Sequence, residues 1–223
     1  MTTPVSLRID FISDVACPWC AIGLASLEQA LARLDGSITV QIHLQPFELD
    51  PGMAFEGEDT SERLKRKYGM DDAQLETNRR NIRERAAALG VEMRLGSGSR
   101  SWNTFAAHCL LHWAGLESLE QALALKRALF QAYFRDNHNV ADTEVLVELA
   151  RSVGLDPEAA REVLVSGCYA EEVRAQERHF QQAGIQAVPA TLINGQWLLR
   201  GGQPPEAFVQ ALQDIAGKAA AGN

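Results

Sequence analysis

The 223-residue chain sets 21 Lys and Arg against 29 Asp and Glu, a formal charge of −8, and is 46% hydrophobic and 22% charged. This is the composition of an ordinary globular protein, and it excludes disordered, collagen-like and disulfide-scaffold classes. The acidic balance disfavours nucleic acid as a partner, no apolar run reaches the ~18 residues of a membrane span, and the N-terminal stretch lacks a basic region followed by an apolar run, so a cytoplasmic address is expected.

Val5 to Ile12 alternates apolar and polar residues and reads as a strand with Val5, Leu7, Ile9 and Phe11 on one face. Ser13 and Asp14 supply turn and cap chemistry before a helical pattern from Cys17 to Leu34, which Asp35-Gly36 ends. A second strand, Ile38 to Leu44, breaks down at Pro46 and at Asp50-Pro51-Gly52. The opening is therefore a βαβ unit, with Cys17-Pro18-Trp19-Cys20 at its first strand-to-helix junction.

From Asp59 to Ala183 strand patterns vanish, and capped amphipathic segments predict about six or seven helices. Asp59 with Glu62, Ser118 with Gln121, and Asp156 before Pro157 are start signals; Gly69, Gly90, Gly115, Gly154, Gly167 and Gly184 are stops. Gly96 to Ser101 reads as a flexible loop within this block. Two apolar runs, Ala190 to Asn194 and Gln196 to Arg200, then flank Asn194-Gly195 and predict a hairpin. Gly201-Gly202 and Pro204-Pro205 lead into a last helix carrying Phe208, Leu212 and Ile215, with Gly217 to Asn223 as a frayed tail. The order βαβ, helices, ββα divides the chain into residues 1–57, 58–183 and 184–223. With the CxxC at the first helix start and Val188-Pro189 before the third strand, it predicts an α/β thioredoxin fold with a large all-helical insertion.

The four cysteines separate by position. Cys17 and Cys20 stand one helical turn apart, close enough to form a disulfide. Unpaired N–H groups and the positive end of the helix dipole favour a thiolate at Cys17, making it the predicted nucleophile and Cys20 the resolving thiol. Pro18 presets the first helical turn, and Trp19 offers an apolar surface beside the nucleophile. In a thioredoxin fold, Pro189 would be a cis-proline facing the pair, leaving the Val188 backbone free to meet substrate. A zinc half-site is the alternative for the CxxC, but no second ligand pair has suitable spacing, so no metal is expected. Cys109 lies on an apolar stripe with Trp102, Phe105 and Trp113 and reads as a buried thiol, whereas Cys168 reads as exposed; a disulfide between them is the less favoured reading.

Asp10 is either a buried acid that shuttles the Cys20 proton or a paired carboxylate, and Glu48 is a weaker candidate for the same task. His108 and His112 stand at i and i+4 without an accompanying carboxylate motif, which favours packing over metal binding. The run Arg79 to Arg85 is a solvated helix face or the receptor of an anionic ligand. Residues from Trp102 to His108, including Asn103, are expected to shape a substrate groove with Trp19 and Val188.

The sequence resembles the DsbA family, and within it the FrnE-like branch. The blocks that carry the likeness are Asp10 to Gly23, Pro46 to Pro51, Lys67 to Gly69, Asn103 to His108, Gly184 to Thr191 and Ile193 to Gly195. The resemblance implies thiol-disulfide chemistry at Cys17 and Cys20 with Pro189 in cis, on a protein, peptide or low-molecular-weight thiol or disulfide. The sulfur pair is then the only redox group needed, with glutathione as a reductant or ligand and the chain a monomer or homodimer. Kappa-class glutathione transferases and 2-hydroxychromene-2-carboxylate isomerases belong to the same superfamily and usually carry serine at the nucleophile position. A glutathione-dependent transferase or isomerase is therefore the alternative. The dipeptide is Pro-Trp where periplasmic DsbA has Pro-His, so a less oxidising couple is expected.

Overall fold

The structure is a computed structural model describing residues 4–34 and 36–221. Asp35, part of the expected stop of the first helix, and both chain ends, where the N-terminal reading and the last tail residues fall, lie outside the described residues.

In chain order the elements are β1 (Val5–Ser13), α1 (Pro18–Ala32), β2 (Ile38–Pro46), β3 (Glu58–Asp59), α2 (Thr60–Tyr68) and α3 (Asp72–Ala88). There follow β4 (Arg100–Ser101), α4 (Phe105–Glu117), α5 (Leu119–Phe134), α6 (Thr143–Ser152), α7 (Pro157–Ser166) and α8 (Ala170–Gln182). The chain closes with β5 (Ala190–Ile193), β6 (Trp197–Arg200) and α9 (Pro205–Ala221). The main sheet has the order β2-β1-β5-β6, with β2 parallel and β5 antiparallel to β1. This is the thioredoxin arrangement read from the sequence, with the helical insertion in place. The β5–β6 turn places Asn194 and Gly195 at φ 50 and 66, the positive values that tight hairpins demand.

β1 is central because it is apolar on both faces where it is covered. Leu7, Ile9 and Phe11 enter the large core shared with α1 and α9, while Ile12 points the other way and joins Phe47, Phe180, Ile185 and Ala190. Each of these leucine, isoleucine and phenylalanine side chains contributes roughly 1.5–3 kcal/mol on leaving water. The inserted helices are tied to the sheet through β2, on which α4, α5 and α8 pack.

The start signals act as read. Asp59 accepts from the Ser61 and Glu62 N–H groups, Ser118 from Gln121, and Asp156 from Glu158 with Pro157 as the first residue of α7. Asp71 and Gln74 add a reciprocal capping box on α3.

Three expectations need correction. Gly115 does not stop a helix: α4 runs to Glu117 and breaks at Ser118, whose extended backbone also begins α5. The segment Gly96 to Ser101 ends in β4, which pairs with β3, with Thr60 Oγ1 3.1 Å from Ser101 Oγ. Gly57 permits this closure, because at φ +63 a Cβ there would lie 2.4 Å from the Ser101 carbonyl. Finally, α9 continues through the expected tail to Ala221 because Ile215 and Ala216 are buried near its end. No helix among the described residues is long and apolar enough to cross a membrane.

Candidate active site at the start of the first helix

β1 delivers the chain into the turn Asp14–Ala16, and α1 begins at Pro18 with Cys17 as its N-cap. Pro18 fits there because its missing N–H is one that the helix would leave unpaired. The Cys17 carbonyl accepts from Cys20 N–H and Ala21 N–H at 3.0 and 3.3 Å, which fixes the two cysteines one turn apart. All four cysteines are free thiols. Cys17 Sγ lies 3.7 Å from the Val188 carbonyl oxygen, and the Val188–Pro189 peptide bond is cis. The site is closed from behind: Gly23 leaves room for Pro189, whose Cγ would be 3.1 Å from a Cβ at that position.

Cys20 is wholly buried. That burial, with the neighbouring Cys17 sulfur, pushes its thiol well above the ordinary range, while Lys126 and an Asp14 backbone hydrogen bond act the other way. Lys126 reaches this place from α5 and is 1% exposed. Burial pulls its ammonium down to about 8, against the opposing attraction of Cys20, Asp14 and Cys17. Its Nζ stands 5.0 Å from the Phe130 ring centroid.

Asp14 is the second buried charge beside the pair. Its oxygens accept from Ala16 N–H at 3.1 Å and Leu49 N–H at 2.7 Å, and His108 Nε2 lies 3.4 Å away, a long contact. Burial works to raise its pKa, but His108 and the two backbone donors outweigh it and hold the carboxyl below the usual range. Neither Lys126 nor the deep setting of Asp14 was read from the sequence. Lys126 sits in a helix far along the chain, and Asp14 looks like an ordinary turn residue.

The sequence-derived site residues divide. Cys17, Pro18, Trp19 and Val188 line one cavity of about 380 Å³, whose far wall comes from α2, α3, the 94–101 segment and the end of α5. Asp10 is not among the groups that act on Cys20. Residues 8 and 10 share the strand face opposite Ile9 and Phe11, and there Asp10 binds Arg8 at 2.6 and 3.0 Å and Gln45 at 2.7 Å. Asn103 and His108 do not line the cavity. The Asn103 amide donates to the Met53 carbonyl and its oxygen accepts from Phe105 N–H, while His108, 2% exposed, faces Asp14.

Glu48 is buried elsewhere, in a cluster where Arg174 binds both Glu48 and Glu177 and stacks over Phe105 at 3.8 Å. Burial and the Glu177 charge push Glu48 up to about 7. Cys109 is raised to about 12 by burial, and Cys168 is exposed. His112 packs at a tilt against the Tyr169 ring, centroids 5.2 Å apart, and no three metal-ligating side chains converge among the described residues. A larger cleft of about 550 Å³ between α1 and α5 touches neither cysteine of the pair. Of the two, the smaller cavity is the one that Cys17 lines.

Comparison with known proteins matches residues 8–213 to the DSBA-like thioredoxin domain. The solved structure of a "probable DsbA oxidoreductase", SCO1869 from Streptomyces coelicolor, superposes with a TM-score of 0.87 at 38% identity, covering 95% of this chain and 90% of that one. The uncharacterized protein YwbO of Bacillus subtilis (strain 168) is 28% identical over 211 residues, covering 94% of this chain and 98% of its own length. A 2-hydroxychromene-2-carboxylate isomerase shares the fold with a TM-score of 0.70 at 16% identity, covering 97% of this chain and 99% of that one.

Proposed function

We propose that this chain, which belongs to the DSBA-like thioredoxin domain family, is a thiol-disulfide oxidoreductase that exchanges electrons through Cys17 and Cys20. One observation carries the reading: Cys17 caps α1 on the wall of a cavity, beside the Val188 carbonyl, while Cys20 is sealed one turn behind it.

In the reductive direction, Cys17 as thiolate attacks one sulfur of a substrate disulfide. The substrate S–S bond breaks, its other sulfur leaves as a thiolate, and a mixed disulfide forms on Cys17. Cys20 then releases its proton and attacks Cys17 Sγ, forming the Cys17–Cys20 disulfide and freeing the second substrate sulfur. The substrate gains two electrons and the sulfur pair loses two. Two equivalents of a small thiol such as glutathione, or one dithiol, return the pair to its starting state; the reverse sequence oxidises a substrate. Cys17, though only 4% exposed, opens on the cavity, whereas Cys20 is fully buried and does not line it, which supports Cys17 as the sulfur that meets the substrate first. Trp19 and Val188 line the approach, and Pro18 and the helix start hold Cys17 in place. Lys126 opposes the loss of charge stability that burial imposes on Cys20. The proposed substrates are protein, peptide or low-molecular-weight disulfides, and the proposed address is the cytoplasm.

The test is a pair of serine variants assayed with a disulfide substrate and a thiol reductant. Cys17→Ser abolishes turnover, and Cys20→Ser accumulates a mixed disulfide visible by intact mass. Disulfide reduction retained by Cys17→Ser refutes the mechanism. Glutathione-dependent turnover of a substrate that is not a disulfide, surviving Cys20→Ser, supports a transferase or isomerase instead.

A further inference from the structure

The cavity above Cys17 is charged in a way that the chain as a whole is not. Arg63, Arg79, Arg94 and Arg100 line it, and no Asp or Glu does among the described residues, although the net charge of the protein is −8. Two of these arginines are already neutralised: Arg63 is bonded to Asp50 at 3.0 Å and Arg94 to Glu92 at 2.9 Å.

The other two are held by uncharged acceptors. Arg79 gives Nη2 to Ser61 Oγ at 2.7 Å. Arg100 gives Nη2 to the Glu56 and Gly57 carbonyls at 2.9 and 3.1 Å, with its guanidinium carbon 5.0 Å from the Trp102 ring centroid. The carboxylates that feel Arg79 are committed elsewhere, Asp59 to the α2 cap and Glu76 to Arg83 at 2.7 Å. Both guanidiniums are thus positioned without a direct carboxylate partner, and each keeps N–H donors in a planar fork suited to carboxylate or phosphate oxygens. The remaining wall is largely apolar, with Leu64, Ile82, Leu95 and Phe134. A volume of about 380 Å³ is at the small-molecule end of ligand sites.

Resting on the proposed redox function, we infer that this cavity selects small anionic thiols and disulfides, with a carboxylate or phosphate against Arg79 and Arg100 and the sulfur against Cys17. A peptide segment without an acidic group gains the apolar contacts but no charge pairing with the two guanidiniums. Small amphipathic anions gain both contacts.

The experiment measures second-order rate constants of the reduced full-length protein with two aromatic disulfides, each compared between wild type and variant. One is 5,5′-dithiobis(2-nitrobenzoate), which carries two carboxylates; the other is uncharged 4,4′-dithiodipyridine. The double variant Arg79→Gln/Arg100→Gln is expected to react roughly tenfold more slowly with the dicarboxylate, while its rate with the neutral probe, which reports an intact Cys17, stays within about twofold. Added salt should lower the wild-type rate with the dicarboxylate and leave the neutral probe unaffected. No loss in the double variant, or an equal loss with both probes, overturns the inference and leaves the redox function standing. A wild-type protein inert to both probes overturns the function and the inference together.

Discussion

Replacing Lys126 with methionine should make the protein more stable while making it a poorer catalyst. The ammonium falls from its ordinary 10.5 to about 8 because it is buried. At about 1.4 kcal/mol per pH unit, carrying that charge costs the fold roughly 3 kcal/mol at pH 7. The unfolded chain holds the proton up to 10.5, whereas the folded chain releases it near 8, so between those values the unfolded state binds more protons and stability rises with pH. The cost is present in full below 8 and disappears above 10.5. Methionine fills a similar volume without charge. Lys126→Met is therefore expected to gain up to roughly 3 kcal/mol at pH 7, narrowing to about 2 kcal/mol at pH 9. Urea unfolding under reducing conditions, followed by the fluorescence of the 4 tryptophans, measures both values. A variant no more stable than wild type at pH 7, or a gain that does not shrink by pH 9, refutes the reasoning.

The same substitution removes the cation that favours the Cys20 thiolate. The lifetime of the Cys17 mixed disulfide, read by quenched-flow mass analysis, should lengthen about tenfold or more, and Lys126→Arg should shorten it again. Iodoacetamide applied to the native reduced protein should label exposed Cys168 and Cys17, which at 4% exposure still opens on the cavity, and spare Cys20 and Cys109, which line no part of that cavity and whose thiols burial pushes up; rapid labelling of Cys109 contradicts this. Glu48, raised to about 7, makes the folded state hold a proton that the unfolded chain gives up near 4.5, so stability falls as pH rises between them. Glu48→Gln should flatten that fall in a urea series from pH 4.5 to 8, and an unchanged slope rules it out. Gly57→Ala combines a positive φ with a Cβ 2.4 Å from backbone, and a loss of roughly 2 kcal/mol or more in the same unfolding assay is expected.

What could be read from the sequence was whatever local chemistry expresses. The alternation of Val5 to Ile12, the caps Asp59, Ser118 and Asp156, the Asn194-Gly195 turn and the CxxC each act within a few residues, and each is where the periodicity placed it. Of the two readings of Asp10, its contacts fit the paired carboxylate, with Arg8 two residues away and Gln45 on β2. The misread features depend on partners farther along the chain. Asn103 and His108 looked like groove residues from their nearness to Trp102, but the inserted helices turn them to Met53 and Asp14. Lys126 is indistinguishable in sequence from a surface lysine of an amphipathic helix. The packing of α5 against α4, β2 and α1 buries it beside Cys20.

The order β2-β1-β5-β6 also has a consequence for how the protein comes into being. β1 cannot acquire its antiparallel neighbour until β5, beginning at Ala190, has left the ribosome, and the carbonyl beside Cys17 belongs to Val188 in the same late segment. During most of synthesis both cysteines therefore sit at the edge of a half-built sheet, where a passing oxidant meets two thiols that the finished fold treats unequally. The chain must reach its last strands before its chemistry acquires a direction.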